Sequence, residues 1–250
     1  RALRPRRLVG SVAATRVSDL IVDRLGVQYG GVRALEGVNL RVPAGAVIGL
    51  IGPNGAGKTS LINAVTGIVR PRSGSIRLGE VRLDRLAAFR IARAGVARTY
   101  QNIRLFGALS VAENVRAGAF RRRGRLDDGA IHALLAQAAL EVPDLGRRAG
   151  ALPYGEQRRL EIARARAGEP ELLLLDEPAA GLNPRETHEL RAVIRGAAAA
   201  GAGVLLVEHD MSLVSAVCDR VVVLNFGERI AEGTPAEIKR DPAVVEAYLG

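Results

Sequence analysis

Cysteine, lysine and aromatic residues are all scarce in this chain of 250 residues, and each scarcity excludes something. The single cysteine, Cys218, rules out a disulfide framework and any zinc site built from several cysteines, and it fits a reducing compartment. Aromatics are 3% of the chain and tryptophan is absent, so the stacking platforms that grip single-stranded nucleic acid are few. No run reaches the roughly 18 apolar residues of a membrane span. The best stretch, 196–207, is short and rich in Ala and Gly. No signal peptide is visible. The only methionine is Met211, so the chain as given lacks an initiator, as a trimmed chain or a piece of a longer one would.

What is plentiful is arginine. Lysine occurs only at Lys58 and Lys239, and the formal net charge is +10. Arg1, Arg4, Arg6, Arg7 and Arg16 all precede the first acid, Asp19, so half of that charge sits in residues 1–18. Such a basic tail or linker binds nucleic acid or an anionic membrane face, or is simply solvated. A second cluster, Arg121–Arg123 with Arg125, reads as a loop. Hydrophobic residues at 48% and charged residues at 25% are the balance of a globular chain.

Patterning then predicts an α/β core. Residues 20–27 and 32–42 alternate apolar and polar, as half-buried strands do, with a Gly30-Gly31 turn between them. Residues 46–51 form a continuous apolar run, as in a buried parallel strand, which leads into a glycine-rich loop and a helix over 57–66. A turn at 71–74, a strand at 75–78 and a short helix feeding a strand at 91–100 follow. From Ser110 to about Ala167 the spacing is helical, broken by Pro143, Gly146 and Gly150, which makes a helical insertion between roughly 105 and 165. Strands are expected again at 172–175, 204–207 and 221–224, with a helix over 184–199 and first helical turns at Pro235 and Pro242.

Two motifs carry chemistry. Gly52-Pro53-Asn54-Gly55-Ala56-Gly57-Lys58-Thr59 matches G-x-x-x-x-G-K-[ST] between a strand and a helix. Its glycines let backbone N–H groups wrap around phosphate oxygens, and the helix adds its positive N-terminal dipole. Lys58 should reach the β- and γ-phosphates and Thr59 should hold Mg²⁺. In a chain whose default base is arginine, a lysine here is not composition noise. Downstream, Leu172-Leu173-Leu174-Leu175-Asp176-Glu177 is an apolar strand that delivers two acids to its carboxyl end, where α/β folds place ligands. Asp176 can orient Mg²⁺ and its waters, and Glu177 can activate an attacking water as general base.

From these motifs, residues 19–250 resemble the nucleotide-binding domain of ATP-binding cassette (ABC) transporter ATPases. Asp176-Glu177-Pro178 followed by Ala180-Gly181-Leu182-Asn183 is similar to that family's second nucleotide motif and dimer-contact loop. Leu152-Pro153-Tyr154-Gly155-Glu156-Gln157-Arg158 sits where the signature belongs, Gln101 where the lid glutamine belongs, His209 where the switch histidine belongs, and Tyr29 where an aromatic stacks on adenine. The resemblance implies a P-loop core with an antiparallel β subdomain and a helical subdomain inserted at about 105–165. It implies ATP and Mg²⁺ as cofactors, Glu177, His209 and Gln101 as catalytic residues, and Thr59, Gln101 and Asp176 around the metal. Tyr29, residues 52–59 and Ser60 would bind the nucleotide, and Tyr154, Gly155 and Glu156 would close a partner's. Val96–Phe106, Tyr154–Arg164, Ala179–Pro184 and Val207–Met211 resemble one subgroup, the cytoplasmic ATPase of branched-chain amino acid importers; so does the ending from Gly233-Thr234-Pro235 through Ala247–Gly250.

The expected activity is ATP hydrolysis powering import of branched-chain amino acids or related small solutes, through head-to-tail dimerisation. The expected partners are a second ABC ATPase subunit, permease subunits and, indirectly, a periplasmic or extracellular solute-binding protein, with no nucleic acid. The expected place is the cytoplasmic face of the cell membrane, peripheral or fused to a permease upstream of residue 1. The competing expectation is a soluble ABC-type ATPase acting on nucleic acid or ribosomes, mildly favoured by the basic tail. One departure stands out. The usual signature has Ser-Gly-Gly where this chain has Pro153-Tyr154-Gly155, and proline offers neither a hydroxyl nor an N–H.

Overall fold

The computed structural model describes residues 18–122 and 124–249. The basic tail expected at residues 1–18 therefore lies outside the described residues, apart from Ser18. Two sheets and three apolar cores organise the described residues.

The first sheet is antiparallel and four-stranded, in the order β2-β1-β4-β5. Its strands are β1 (Leu20–Tyr29), β2 (Val32–Val42), β4 (Ser73–Leu78) and the two-residue β5 (Val81–Arg82). The burial of β1 alternates at its start, as its sequence does, so one face packs inward and the other meets water.

The second sheet has six strands in the order β10-β9-β3-β8-β7-β6. Its centre is β3 (Val47–Ile51), β7 (Leu172–Asp176) and β8 (Gly203–Val207), each buried along its whole length. That is what their continuous apolar runs require, since a strand covered on both faces has no polar side. Leu172 and Leu174 pack into a core with β1, β2 and α1 (Lys58–Val65). Leu173 and Leu175 pack into a second core on the other face, with α6 (Pro184–Ala199) and α7 (Met211–Val217). The edge strand β6 (Val96–Arg98) follows the short α2 (Ala88–Arg93). On the other side β9 (Arg220–Asn225) runs parallel to β3, and β10 (Glu228–Gly233) returns antiparallel before α8 (Pro235–Ile238) and α9 (Pro242–Leu249).

A third core belongs to the helical stretch. It joins α3 (Val111–Gly118), α4 (Asp128–Ala136), a 3-10 turn at Ala149–Ala151 and α5 (Tyr154–Arg166) through residues such as Val115, Ile131, Leu135 and Leu160. The expected loop around Arg121 is present, but it is anchored rather than loose. Arg121 donates to the carbonyls of Arg93 and Glu169 at 3.1 and 2.8 Å and faces Glu171.

Three elements escape the sequence patterning. α7 is a seven-residue helix interrupted by serines, β5 is two residues long, and β10 is a charged strand on the sheet edge. Among the described residues no helix is long and apolar enough to cross a membrane.

Candidate nucleotide site

Parallel register assembles the site. Leu50 pairs with Val207, Val207 with Asp176, and Leu174 with Arg98, so the carboxyl ends of β3, β8, β7 and β6 lie in one row. From that row emerge the glycine loop at Gly52, Glu208-His209, Asp176-Glu177 and Thr99-Tyr100-Gln101. This is the end of a parallel sheet where α/β folds bind ligands. Adjacent strand ends are separated by the sheet spacing of about 4.8 Å, which brings these segments within side-chain reach.

The loop is shaped so that only glycine fits its start. Gly52 has φ +148°, and a Cβ there would fall 2.1 Å from the Leu224 carbonyl oxygen. The loop is buttressed from behind: the Gly227 amide in the β9–β10 turn donates to Ala56 O at 3.0 Å. Gly57 presses on Ala34 and Leu35 of β2, the strand that follows the Gly30-Gly31 turn after Tyr29. Tyr29 is the last residue of β1 and is 43% exposed. Lys58 opens α1 and turns back over the loop, donating to Gly52 O at 2.7 Å and Pro53 O at 2.9 Å. Burial pulls its ammonium below the usual lysine range, while the charges of Glu177 and Asp176 act the other way. A lysine held by two carbonyls and facing two acids is a cation placed for polyanionic oxygens.

Asp176 is buried and forms an ion pair with Arg98 of β6, Nη2 to Oδ2 at 2.9 Å. The other Arg98 nitrogen donates to Asn63 of α1 at 2.8 Å, and the guanidinium stacks 4.7 Å from the Tyr100 ring centre. Sequence reasoning does not reveal Arg98, because one arginine among so many carries no signal. Glu177 adopts φ +46°, a left-handed conformation that is costly outside glycine and is found where surrounding structure imposes it. Its amide donates to Val207 O at 2.9 Å, and its Oε2 accepts from Gln101 Nε2 at 2.9 Å. Gln101 and Glu177, distant in sequence, are therefore in direct contact.

His209 reaches the row only through its backbone. Its imidazole is 70% exposed, with Nδ1 3.9 Å from Glu208 Oε2, too long for a hydrogen bond. Glu208 is the buried acid that sequence reasoning misses. It accepts from the Ala179 and His209 amides at 3.0 and 3.2 Å, and burial raises its carboxyl above the usual range.

The signature turn lies on the other side of the acidic loop. Pro153 is the N-cap of α5, at φ −53° and ψ 154°, with no side-chain capping bond, so the departure from serine removes a cap. Tyr154 packs its ring over Gly181, where φ is +77° and a Cβ would fall 2.8 Å from the ring. Its hydroxyl donates to Ala180 O at 3.3 Å. The first-turn N–H groups of α5, on Tyr154, Gly155 and Glu156, carry the positive end of the helix dipole. Among the described residues no hydrogen bond joins them to the Lys58 loop; the helix end abuts the Glu186 carboxylate, which a Cβ on Gly155 would strike, and leans on the acidic loop through Tyr154.

The residues fit a magnesium nucleotide. Thr59, Gln101 and Asp176 offer hydroxyl, amide and carboxylate oxygens, the hard donors Mg²⁺ prefers. Among the described residues no cluster of three His, Cys, Asp or Glu could form an all-protein cage, and Mg²⁺ characteristically relies on one or two carboxylates plus phosphate oxygens and water.

Comparisons with known proteins agree with this geometry. Residues 35–180 match the ABC transporter family, and residues 228–250 match the family described as branched-chain amino acid ATP-binding cassette transporter. The chain is 44% identical to the high-affinity branched-chain amino acid transport ATP-binding protein BraF of Pseudomonas aeruginosa, over 92% of this chain and 97% of that one. It is 41% identical to the LivG protein of the same description from Escherichia coli K12, with the same coverage. Its fold superposes on the ADP conformation of MJ1267, an ATP-binding cassette of an ABC transporter, with TM-score 0.82 and 28% identity, covering 93% of this chain and 99% of that one. A glycine loop with its lysine, an acid pair at the end of β7, a glutamine touching the second acid and a family match over residues 35–180 together place this chain in the ABC transporter family, as an ATP-binding ATPase.

Proposed function

We propose that this chain is the ATP-hydrolysing subunit of an importer for branched-chain amino acids or related small solutes, working as a head-to-tail pair on the cytoplasmic face of the membrane. The observation that carries the pairing is that two helices, α1 at Gly57 and α5 at Pro153, start without a capping side chain. The Lys58 loop supplies one side of a phosphate site, and the uncapped end of α5, which makes no hydrogen bond to that loop, supplies another for a partner's nucleotide. Two chains facing head to tail join each loop to the partner's α5. The solute class is supported by the C-terminal match at 228–250 and by the names of the full-length relatives.

Within this reading, Thr59, Gln101 and Asp176 hold Mg²⁺, which when bound neutralises charge on the β- and γ-phosphates. Residues 52–60 grip the phosphates through backbone N–H groups and the Lys58 ammonium, and Tyr29 stacks on adenine. Arg98 keeps the Asp176 carboxylate aimed. Glu177 takes the proton of the attacking water, once Gln101 has let go of its Oε2. His209, whose imidazole already projects into solvent, turns in to hold the γ-phosphate. Permease subunits then receive the motion through the helical stretch at about 105–165, the subdomain inserted into the domain at 19–250. A solute-binding protein acts on the far side of the membrane.

The test is twofold. In ATP with EDTA the purified chain should sediment as a dimer and without nucleotide as a monomer. Proteoliposomes carrying the membrane complex should take up radiolabelled leucine only with internal ATP. A chain that stays monomeric in ATP would overturn the pairing. ATP hydrolysis without uptake of any branched-chain amino acid would overturn the solute class and leave the pairing intact.

A further inference from the structure

Lid segment, signature turn and acidic loop are closed into one ring of hydrogen bonds. Gln101 Nε2 donates to the Glu177 carboxylate at 2.9 Å. The Ala180 amide donates to Glu177 O at 3.1 Å, and Tyr154 Oη donates to Ala180 O at 3.3 Å. Arg158 Nη2 donates to Tyr154 Oη at 3.2 Å and to Gln101 O at 2.6 Å, which returns to the start. Its Nη1 donates to Tyr100 O at 2.6 Å and to Glu161 Oε2 at 3.0 Å. Glu161 in turn accepts from the Arg104 amide at 3.1 Å, so the lid segment is held at both ends.

Arg158 and Glu161 are fully buried, on one face of α5 with Tyr154 by their spacing of three and four residues. A buried ion pair is a poor route to stability, since well-packed apolar side chains of the same volume do as well or better. What a guanidinium offers is a planar fork that serves several acceptors at fixed angles, which a lysine ammonium cannot reproduce. Here the acceptors belong to two different segments.

We propose that Arg158 is a positioning residue for dimer closure and hydrolysis, fastening the lid segment to the signature helix so that Gln101, the signature turn and the base-bearing loop change position together. This rests on the reading of Gln101 and α5 given above. Withdrawal of Gln101 from Glu177 toward the nucleotide draws on the Tyr100 and Gln101 carbonyls, and through Arg158 on Tyr154. Release of the general base and presentation of the signature turn become one event.

The experiment measures the dimer fraction against Mg²⁺-AMP-PNP concentration for wild type, Arg158→Lys, Gln101→Ala and the double variant, and hydrogen exchange of residues 99–106. Lysine keeps a cation beside Glu161 but cannot bridge the carbonyls. Tyr154→Phe opens the ring at one hydroxyl with Arg158 in place, and serves if Arg158→Lys does not fold. Arg158→Lys should raise the half-dimerisation concentration about ten-fold, with nucleotide affinity of the dilute monomer within about two-fold. Gln101→Ala should add little on top of it, the non-additivity of two members of one unit. Tyr154→Phe should act in the same direction, about three-fold. Residues 99–106 should exchange faster in Arg158→Lys. Additive effects of the two substitutions, or unchanged exchange and dimerisation, would overturn the role of Arg158. A wild-type chain that never dimerises would overturn the pairing itself and this proposal with it.

Discussion

α1 and α5 begin differently from most helices of this chain. α3, α6 and α8 start with complete capping boxes at Ser110, Asn183 and Thr234, and α4 and α7 start with aspartate caps. Those side chains occupy first-turn N–H groups that would otherwise need a partner. α1 starts from Gly57 and α5 from Pro153, neither of which has a capping side chain to offer; the six-residue α2 shares this only through Ala87. Leaving a helix end uncapped costs about 1 kcal/mol but keeps its N–H groups available to an anion. The two ends are nonetheless unequal. α1 comes with a wrapped loop, a lysine and two acids at the end of β7. α5 comes with a dipole and a tyrosine, and its nearest buried cation, Arg158, is spent on the lid carbonyls. In the function proposed above, one is a binding site and the other a half-site that works only opposite a complete one.

The most severe way to break that comparison is at the complete end. Lys58→Ala removes the one cation in the loop and should abolish nucleotide binding or turnover, measured by fluorescent-nucleotide titration and phosphate release. Binding at wild-type strength would mean that the phosphates lie elsewhere. Next, Glu177→Gln should leave ATP binding intact, slow turnover by roughly two or more orders of magnitude and trap an ATP-bound dimer visible by light scattering. Full turnover in the partner-containing complex would remove Glu177 from its role.

At the half-site, Pro153→Ser should tighten the ATP-bound dimer by about 1–2 kcal/mol, because the new hydroxyl gains a bond to a charged group. The readout is dimer fraction against ATP in the Glu177→Gln background. Looser dimers would show that the rigidity of Pro153 matters more than the missing donor. The gentlest change is Tyr29→Ala, which should raise the apparent KM for ATP several-fold with a smaller loss of kcat, since adenine stacking is ground-state binding. An unchanged KM would place adenine away from the β1–β2 turn.

Much of this architecture is legible in the amino-acid order alone. Residues 46–51 and 172–175 announce central strands because a strand buried on both faces cannot hide polar residues, and Pro184 marks the first turn of α6. The loop and the acid pair are legible because their chemistry demands contiguous residues. What stays hidden is every relation between charges distant in sequence. Arg98 against Asp176, Arg158 under Gln101 and Glu208 beneath Ala179 are buried groups whose partners only the fold supplies. With arginine so common, a buried one looks like a surface one. α7 and β10 escape for other reasons: α7 has only seven residues, too few for a helical period to show, and β10 is polar and takes its shape from the sheet edge it joins.

The row formed by Leu50, Val207 and Asp176 acts as a ruler. The distances among loop, acids and lid are set by backbone pairing inside a dry sheet, not by the side chains that use them. Deleting one residue from β7 would put Glu177 where Asp176 stands and turn the leucines that precede the gap to the wrong face. By contrast, residues 105–165 hang from the sheet as a separate apolar unit with its own core. The two parts answer to different constraints: the chemistry is locked to a lattice of main-chain bonds, while the helical part keeps its own core and meets that lattice through side chains such as Arg158.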